Sequence, residues 1–232
     1  MTRRDASEPL NEANRLYFKR KDPMPSPCSV SLEASAIACE RGQRMLFEGL
    51  SFALAPGEAL LVRGPNGAGT TSLLRQLAGL LPLAAGTLSA PGADDDTPLS
   101  ELCHYVGHLN AAKSALTVEE NLAFWVDFLG DGAVDLDGAL GSFGLEDLAN
   151  LPAGLLSAGQ KRKLALSRLF AASRPIWLLD EPSVSLDTAA VKHLDAAIRA
   201  HLKGGGIAVV STHVPLKTKF AHQLTLGLEE AA

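Results

Sequence analysis

The sequence predicts an α/β fold, a parallel sheet with flanking helices and ligand-binding loops at one edge, and three observations lead there. A glycine-rich stretch, Gly64-Pro65-Asn66-Gly67-Ala68-Gly69-Thr70-Thr71, lies between an apolar run, Ala59-Leu60-Leu61-Val62, and a helix opening at Ser72-Leu73-Leu74-Arg75-Gln76-Leu77. A second apolar run, Ile176-Trp177-Leu178-Leu179, ends in Asp180-Glu181-Pro182, and a third, Ile207-Ala208-Val209-Val210, ends in Ser211-Thr212-His213. Short uninterrupted apolar runs suit strands covered on both faces, the condition of strands in a parallel sheet.

Composition narrows the class. A chain of 232 residues can bury the core of one domain and still carry an inserted lobe. A net charge of −5 with 20% charged residues supplies no broad basic field, so no nucleic-acid partner is expected. The three cysteines, Cys28, Cys39 and Cys103, show no C-x-x-C spacing, which suits a reducing compartment better than a disulfide framework or a zinc site. No uncharged apolar run approaches the roughly 18 residues that cross a bilayer, and a soluble or peripheral protein is expected.

Taken in order, residues 1–28 mix Arg3, Arg4, Arg15, Lys19, Arg20 and Lys21 with Asp5, Glu8, Glu12 and Asp22 and close on Pro23, Pro25 and Pro27. That composition predicts a disordered extension, with Met24 as an alternative start. The domain proper is expected over 29–230. Val30–Ala34 and Leu50–Leu54 alternate in the manner of antiparallel strands. The core is expected over about 30–85 and 155–225 around a mixed sheet, with a helical lobe over about 86–154. Asp94-Asp95-Asp96, among Pro91, Gly92 and Pro98, reads as a solvated loop.

Two capping boxes mark helix starts. Thr117 and Glu120 open a helix whose stripe runs through Val118, Leu122, Trp125 and Leu129, while Phe124, Val126 and Phe128 leave its other faces apolar too. Such a helix needs cover on more than one side: packing inside the lobe is one answer, a groove for a partner's helix another. Ser157 and Gln160, within Leu156-Ser157-Ala158-Gly159-Gln160, open a second helix that runs through Leu164, Ala165, Leu166, Leu169 and Phe170 and must stop before Pro175. A third, after Ser185-Leu186-Asp187, should bury Val191, Leu194, Ile198 and Leu202 and end at Gly204-Gly205-Gly206.

The glycine-rich stretch fits the phosphate-loop pattern G-x-x-x-x-G-K-[ST] at every position but one. Gly64, Gly67 and Gly69 are expected to take positive φ, so that backbone amides turn inward around an anion. The loop Gly64-Pro65-Asn66-Gly67-Ala68-Gly69-Thr70-Thr71-Ser72 would then frame a phosphate chain with its N–H groups, Pro65 lacking one, helped by the positive end of the following helix. Thr71 is placed to reach Mg2+. The exception is Thr70, which stands where the pattern has lysine. An ammonium there meets the β- and γ-phosphates and its attraction grows as charge develops; a threonine hydroxyl is neutral and short. Losing it costs on the order of 2–5 kcal/mol, and about 3 of that in the transition state slows turnover more than a hundredfold. Carboxylates after a parallel strand, as at Asp180 and Glu181, stand where ligands bind in open α/β sheets; one can hold a metal and the other polarise a water.

In order and spacing, the phosphate loop, the LSAGQ segment, the strand ending in Asp180-Glu181, Ser185-Leu186-Asp187 and His213 resemble the nucleotide-binding subunit of ATP-binding cassette transporters over about residues 30–220. The resemblance implies a P-loop NTPase of the RecA-like type with an antiparallel β subdomain and an inserted helical subdomain. It implies ATP and Mg2+ as ligands, Asp180 as support for the metal, Glu181 as general base and His213 at the γ-phosphate. It also implies a homodimer closing around two ATP molecules. Leu156, Ser157, Ala158, Gly159 and Gln160 would form the signature, with Ser157 and Gly159 meeting the nucleotide held by the other copy, and Asp187 coupling the two sites.

The segment His104-Tyr105-Val106-Gly107-His108-Leu109-Asn110-Ala111-Ala112-Lys113, with Leu116 to Trp125, is similar to the cassettes of cytochrome c maturation, the haem exporter A type. Those cassettes have histidine where most others have glutamine, so His108 is expected either near the γ-phosphate or as a plain hinge residue. The expected partner is an integral membrane subunit, CcmB-like. The expected place is the cytoplasmic face of a bacterial inner membrane, and the expected work is haem handling, the release of a haem-loaded chaperone. The alternatives are a nucleotide-binding subunit without turnover, the ATPase of another small exporter, and a soluble cassette acting on ribosomes or DNA. The usual upstream aromatic that stacks on adenine is missing from Ala38 to Arg44, where Arg41 or Arg44 could offer a guanidinium plane instead.

Overall fold

The computed structural model describes residues 30–129 and 135–227; the expected extension over 1–28, with Cys28 and Met24, lies outside the described residues. Two sheets form, not one mixed sheet. Strands β1 (Leu32–Arg41), β2 (Arg44–Leu54) and β4 (Ala85–Ser89) make an antiparallel sheet in the order β2-β1-β4. Strands β3 (Ala59–Arg63), β5 (Cys103–Val106), β6 (Ile176–Asp180), β7 (Ile207–Ser211) and β8 (His222–Thr225) make an all-parallel sheet in the order β5-β6-β7-β3-β8.

Alternation along the parallel strands divides the core. Ile176 and Leu178 of β6, with Ile207 and Val209 of β7, join a cluster built on Leu73, Leu74 and Leu77 of α1 (Thr70–Leu77) and on Leu32 and Ile37 of β1. Trp177 and Leu179, with Ala208 and Val210, point the other way into a cluster with α3 (Val118–Leu129), α5 (Ala158–Ala171) and α6 (Thr188–Lys203). Both faces are covered, which is why β6 and β7 are apolar up to their last residues, Asp180 and Ser211. The short helices α2 (Leu99–Leu102) and α4 (Leu136–Gly141) complete the set.

The expected lobe over 86–154 is not helical throughout. Its first part supplies most of β4 and all of β5, and β5 pairs in parallel with β6 from Cys103↔Ile176 to Val106↔Leu179. Helical packing of α3, α4 and α5 begins only beyond it. In β5 the polar His104 breaks the apolar run, yet it is buried because its Nε2 bonds the Ala172 carbonyl at 2.7 Å. Asp94, Asp95 and Asp96 lie in exposed turns.

Both capping boxes form: Thr117 with Glu120, and Ser157 with Gln160. Helix α3 buries Val118, Leu122 and Val126, so Val126 and not Trp125 continues the stripe. Phe124 and Phe128 are exposed. Trp125 instead lies under the Arg168 guanidinium, 4.1 Å from its ring centroid. Helix α5 buries Leu164, Ala165, Leu166 and Leu169, leaves Phe170 partly exposed and ends four residues before Pro175. Helix α6 buries Leu194 and Ile198 and half-buries Val191 and Leu202. No helix of the described residues is long and apolar enough to cross a membrane.

Candidate active site: a phosphate loop at the edge of the parallel sheet

The loops that leave the C-terminal ends of β3, β6 and β7 meet in one cleft of about 180 Å³. From the first loop come Gly64, Pro65, Asn66, Gly67, Thr70 and Thr71; from the second, Asp180 and Glu181; from the third, Ser211, Thr212 and His213. Three segments distant in sequence thus converge where open α/β sheets bind ligands.

The loop's geometry follows from its glycines, with one correction. Gly67 (φ 84°) and Gly69 (φ 104°) adopt left-handed conformations that side chains resist, but Gly64 does not. Gly64 is required for proximity: a Cβ there would stand 2.9 Å from the Leu226 carbonyl oxygen and 2.9 Å from the Ala68 Cβ. Gly69 is the N-cap of α1 and offers no side chain to the first-turn amides, which leaves them open to an anion. Ala68 is buried and Ser72 half-buried; neither lines the cleft.

Thr71 Oγ1 donates to Asp180 Oδ2 at 2.9 Å, and Asp180 is almost fully buried. A hydroxyl and a carboxylate facing each other across a polar cleft are hard oxygen ligands of the kind Mg2+ takes beside water and phosphate, so this pair fits that ion. Glu181 follows at φ 47°, an uncommon conformation for a non-glycine residue. Its amide donates to the Ser211 carbonyl at 2.8 Å. Its carboxylate faces His213, whose backbone N–H donates to Oε2 at 3.4 Å and whose Nε2 lies 3.6 Å from Oε1. No ammonium is available at Thr70; the basic residues lining the cleft are Arg63, the last residue of β3, and His213.

Other expected residues lie elsewhere. His108 is exposed and outside the cleft. The signature residues stand at the head of α5, where Leu156 is buried, Ser157 and Gln160 form the cap, Ala158 opens the helix and Gly159 sits against the next loop. A Cβ on Gly159 would meet the Ser185 carbonyl oxygen at 2.7 Å. Asp187 has a local role that the sequence reading missed. It caps α6 by accepting from the Ala190 amide at 2.7 Å and pairs with Lys163 at 3.0 Å, and these bonds hold its carboxyl below the usual range. Arg41 and Arg44 flank the exposed β1–β2 turn. An aromatic does lie beside the phosphate loop, but it is Phe47, packed against Gly69 from β2.

Fold and cleft together define a nucleotide-binding α/β protein with the elements of a phosphohydrolase. Comparison with known proteins specifies it: the model of the ABC transporter family matches residues 47–184, and the chain belongs to that family. Among its relatives is a cytochrome c biogenesis ATP-binding export protein CcmA from Nitrobacter winogradskyi, 49% identical over 196 residues, 84% of this chain and 98% of that protein. The protein of the same name from Rhodospirillum rubrum is 50% identical over 193 residues, 82% of this chain and 83% of that one. Among solved structures, a putative ABC transporter ATP-binding protein from Pyrococcus furiosus superposes with a TM-score of 0.71 at 22% identity, covering 84% of this chain and 97% of that chain. A second, an ATP-binding subunit of an ABC transporter, gives 0.69 at 23%, covering 79% of each. The chain is therefore an ABC-type ATPase subunit, and the antiparallel sheet and parallel core are those of the fold its structural neighbours share.

Proposed function

We propose that this chain is the ATP-hydrolysing subunit of a membrane complex that serves cytochrome c biogenesis, handling haem by driving release of a haem-loaded chaperone. The observation that carries the reading is the convergence in one cleft of the phosphate loop, the Thr71–Asp180 pair and the Glu181–His213 pair. The biogenesis role is supported by the name of relatives that share about half of their residues with this chain over more than four-fifths of its length.

The backbone N–H groups of the loop from Gly64 to Ser72, Pro65 having none, grip the β- and γ-phosphates of ATP. Thr71 and Asp180 hold Mg2+, which when bound neutralises charge on the phosphate oxygens. Glu181 orients a water and takes its proton as the water oxygen bonds to the γ-phosphorus and the bond to the ADP oxygen breaks. His213 steadies that carboxylate and contacts the γ-phosphate. Two copies close face to face around two ATP molecules, with Ser157 and Gly159 of each meeting the other's nucleotide and Asp187 linking the sites. His108 enters on closure, since it stands outside the cleft of the single chain.

The partner is an integral, CcmB-like subunit at the cytoplasmic face of the bacterial inner membrane. The surface offered to it includes Phe124, Phe128 and Leu155, which are 41%, 52% and 71% exposed around the helical lobe. Thr70 favours a second reading, a nucleotide-binding subunit with little turnover. Phosphate release by the chain as it stands and by Thr70→Lys decides between them: the substitution is expected to accelerate it more than about a hundredfold. Fast release that the substitution leaves unchanged rules out the impaired reading of this position.

A further inference from the structure

The geometry points to Arg162 as a positioning residue that sets the Glu181 carboxylate and the His108 loop relative to each other, an inference that rests on the role proposed for Glu181. Arg162 lies in the second turn of α5, the helix headed by the signature residues, and its side chain is turned inward and buried. A guanidinium carries five N–H donors, and the bonds made here match that number. Nε donates to the Pro182 carbonyl at 3.1 Å; Nη2 donates to the carbonyls of Asp180 at 2.9 Å and Glu181 at 2.8 Å. Nη1 donates to the Gly107 carbonyl at 2.6 Å and to Asn110 Oδ1 at 3.3 Å.

Those acceptors fall into two groups. Asp180, Glu181 and Pro182 form the turn after β6; Gly107 and Asn110 flank His108 in the loop after β5. One rigid planar group therefore ties the segment bearing the proton acceptor to the segment bearing the histidine. The tie is needed, because Glu181 is held at φ 47° and such a conformation persists only where its surroundings over-determine it. Ser211 fixes the Glu181 amide and Arg162 fixes its carbonyl. Burial lowers the affinity of Arg162 for its proton, and the nearby charges of Asp180 and Glu181 raise it again. Because the guanidinium rides on α5, a displacement of the signature helix is delivered to the water-polarising carboxylate. Lysine cannot substitute, having three donors on a point charge and no fork.

The test uses the full chain carrying Thr70→Lys as parent, with Arg162→Lys and Glu181→Gln each added to it. Turnover and Mg-ATP affinity are measured together with hydrogen exchange of the backbone. Arg162→Lys is expected to lower kcat about 10- to 100-fold with affinity changed less than about twofold, and to speed exchange at 107–110 and 180–184 but not in β3 or α1. Unchanged exchange in those two segments overturns the assignment, whatever the rate of the parent. So does an unaltered kcat when Glu181→Gln is inactive. A Glu181→Gln variant as fast as the parent instead overturns the role given to Glu181. If Arg162→Lys does not fold, Asn110→Ala removes only the longest of the five bonds; faster exchange at 107–110 and kcat lower by about two- to fivefold at constant affinity are expected, and no change in either refutes the proposal.

Discussion

His213 faces Glu181 with two atoms: its backbone N–H donates to Oε2 at 3.4 Å, and its ring Nε2 lies 3.6 Å from Oε1. The carboxylate that would accept a proton is thus aimed by a residue from a different strand, and both contacts are long enough to tighten once nucleotide enters. In a Thr70→Lys parent, His213→Ala should lower kcat by about 10- to 100-fold while nucleotide affinity falls far less. An equal loss in both would mean that His213 serves binding rather than aim.

Asp180 is buried opposite Thr71, so Asp180→Ala removes one half of a hydroxyl–carboxylate pair without opening a large void. Nucleotide binding should lose its dependence on Mg2+, with affinity in Mg2+ falling to that measured in EDTA. A titration with a fluorescent ATP analogue in both media reads this; retained Mg2+ dependence would move the metal elsewhere.

Gly159 abuts the Ser185 carbonyl with no room for a methyl group, since the nearest approach would be 2.7 Å. Backbone yields less readily than a side-chain tip, so Gly159→Ala should cost about 1–3 kcal/mol of stability through overpacking. Denaturant midpoints check the cost. If the proposed dimer forms through Asp187, ATP-driven dimerisation should also fail, because Ser185 belongs to the same loop as Asp187. Normal dimerisation at reduced stability would confine Gly159 to a packing role.

Two histidines, His104 of β5 and His201 of α6, should make the protein acid-sensitive. Burial pushes His104 down to about 3 and His201 down to about 4; the latter is stacked on Trp177 with ring centroids 4.0 Å apart. Their ordinary value is about 6.5. Below it the unfolded chain binds protons that the folded chain refuses, so stability is full above pH 6.5 and falls as pH drops towards 4. At pH 5 the loss should reach about 3–4 kcal/mol. Urea midpoints at pH 7.5 and 5.0 measure it, and His201→Gln should shrink the difference by about half. A difference untouched by the substitution would assign the effect to other groups.

Much of the site was readable before any coordinates, because its parts are local. A phosphate loop, an acid pair after an apolar run and two capping boxes each declare themselves within a few residues, and each forms where expected. What escaped was non-local. Strand β4 is largely exposed and lacks an apolar rhythm, and β5 hides behind His104, whose burial depends on a carbonyl far along the chain. Arg162 reads as one more basic residue of a helix; only the fold brings Gly107 and Asp180 to its two sides. Phe47 sits three residues beyond the stretch searched for an aromatic, and the hairpin's pairing sets it against Gly69.

The strand order β5-β6-β7-β3-β8 has a consequence for synthesis on the ribosome. Strand β3 ends at Arg63, but its neighbours on either side begin only at Ile207 and His222, far along the chain. The nascent chain must therefore carry an unpaired strand, apolar up to Arg63, until both of those distant segments have been made. Nucleotide cannot be gripped by a partly made chain, and truncation late in translation should leave a product that chaperones retain or that clumps.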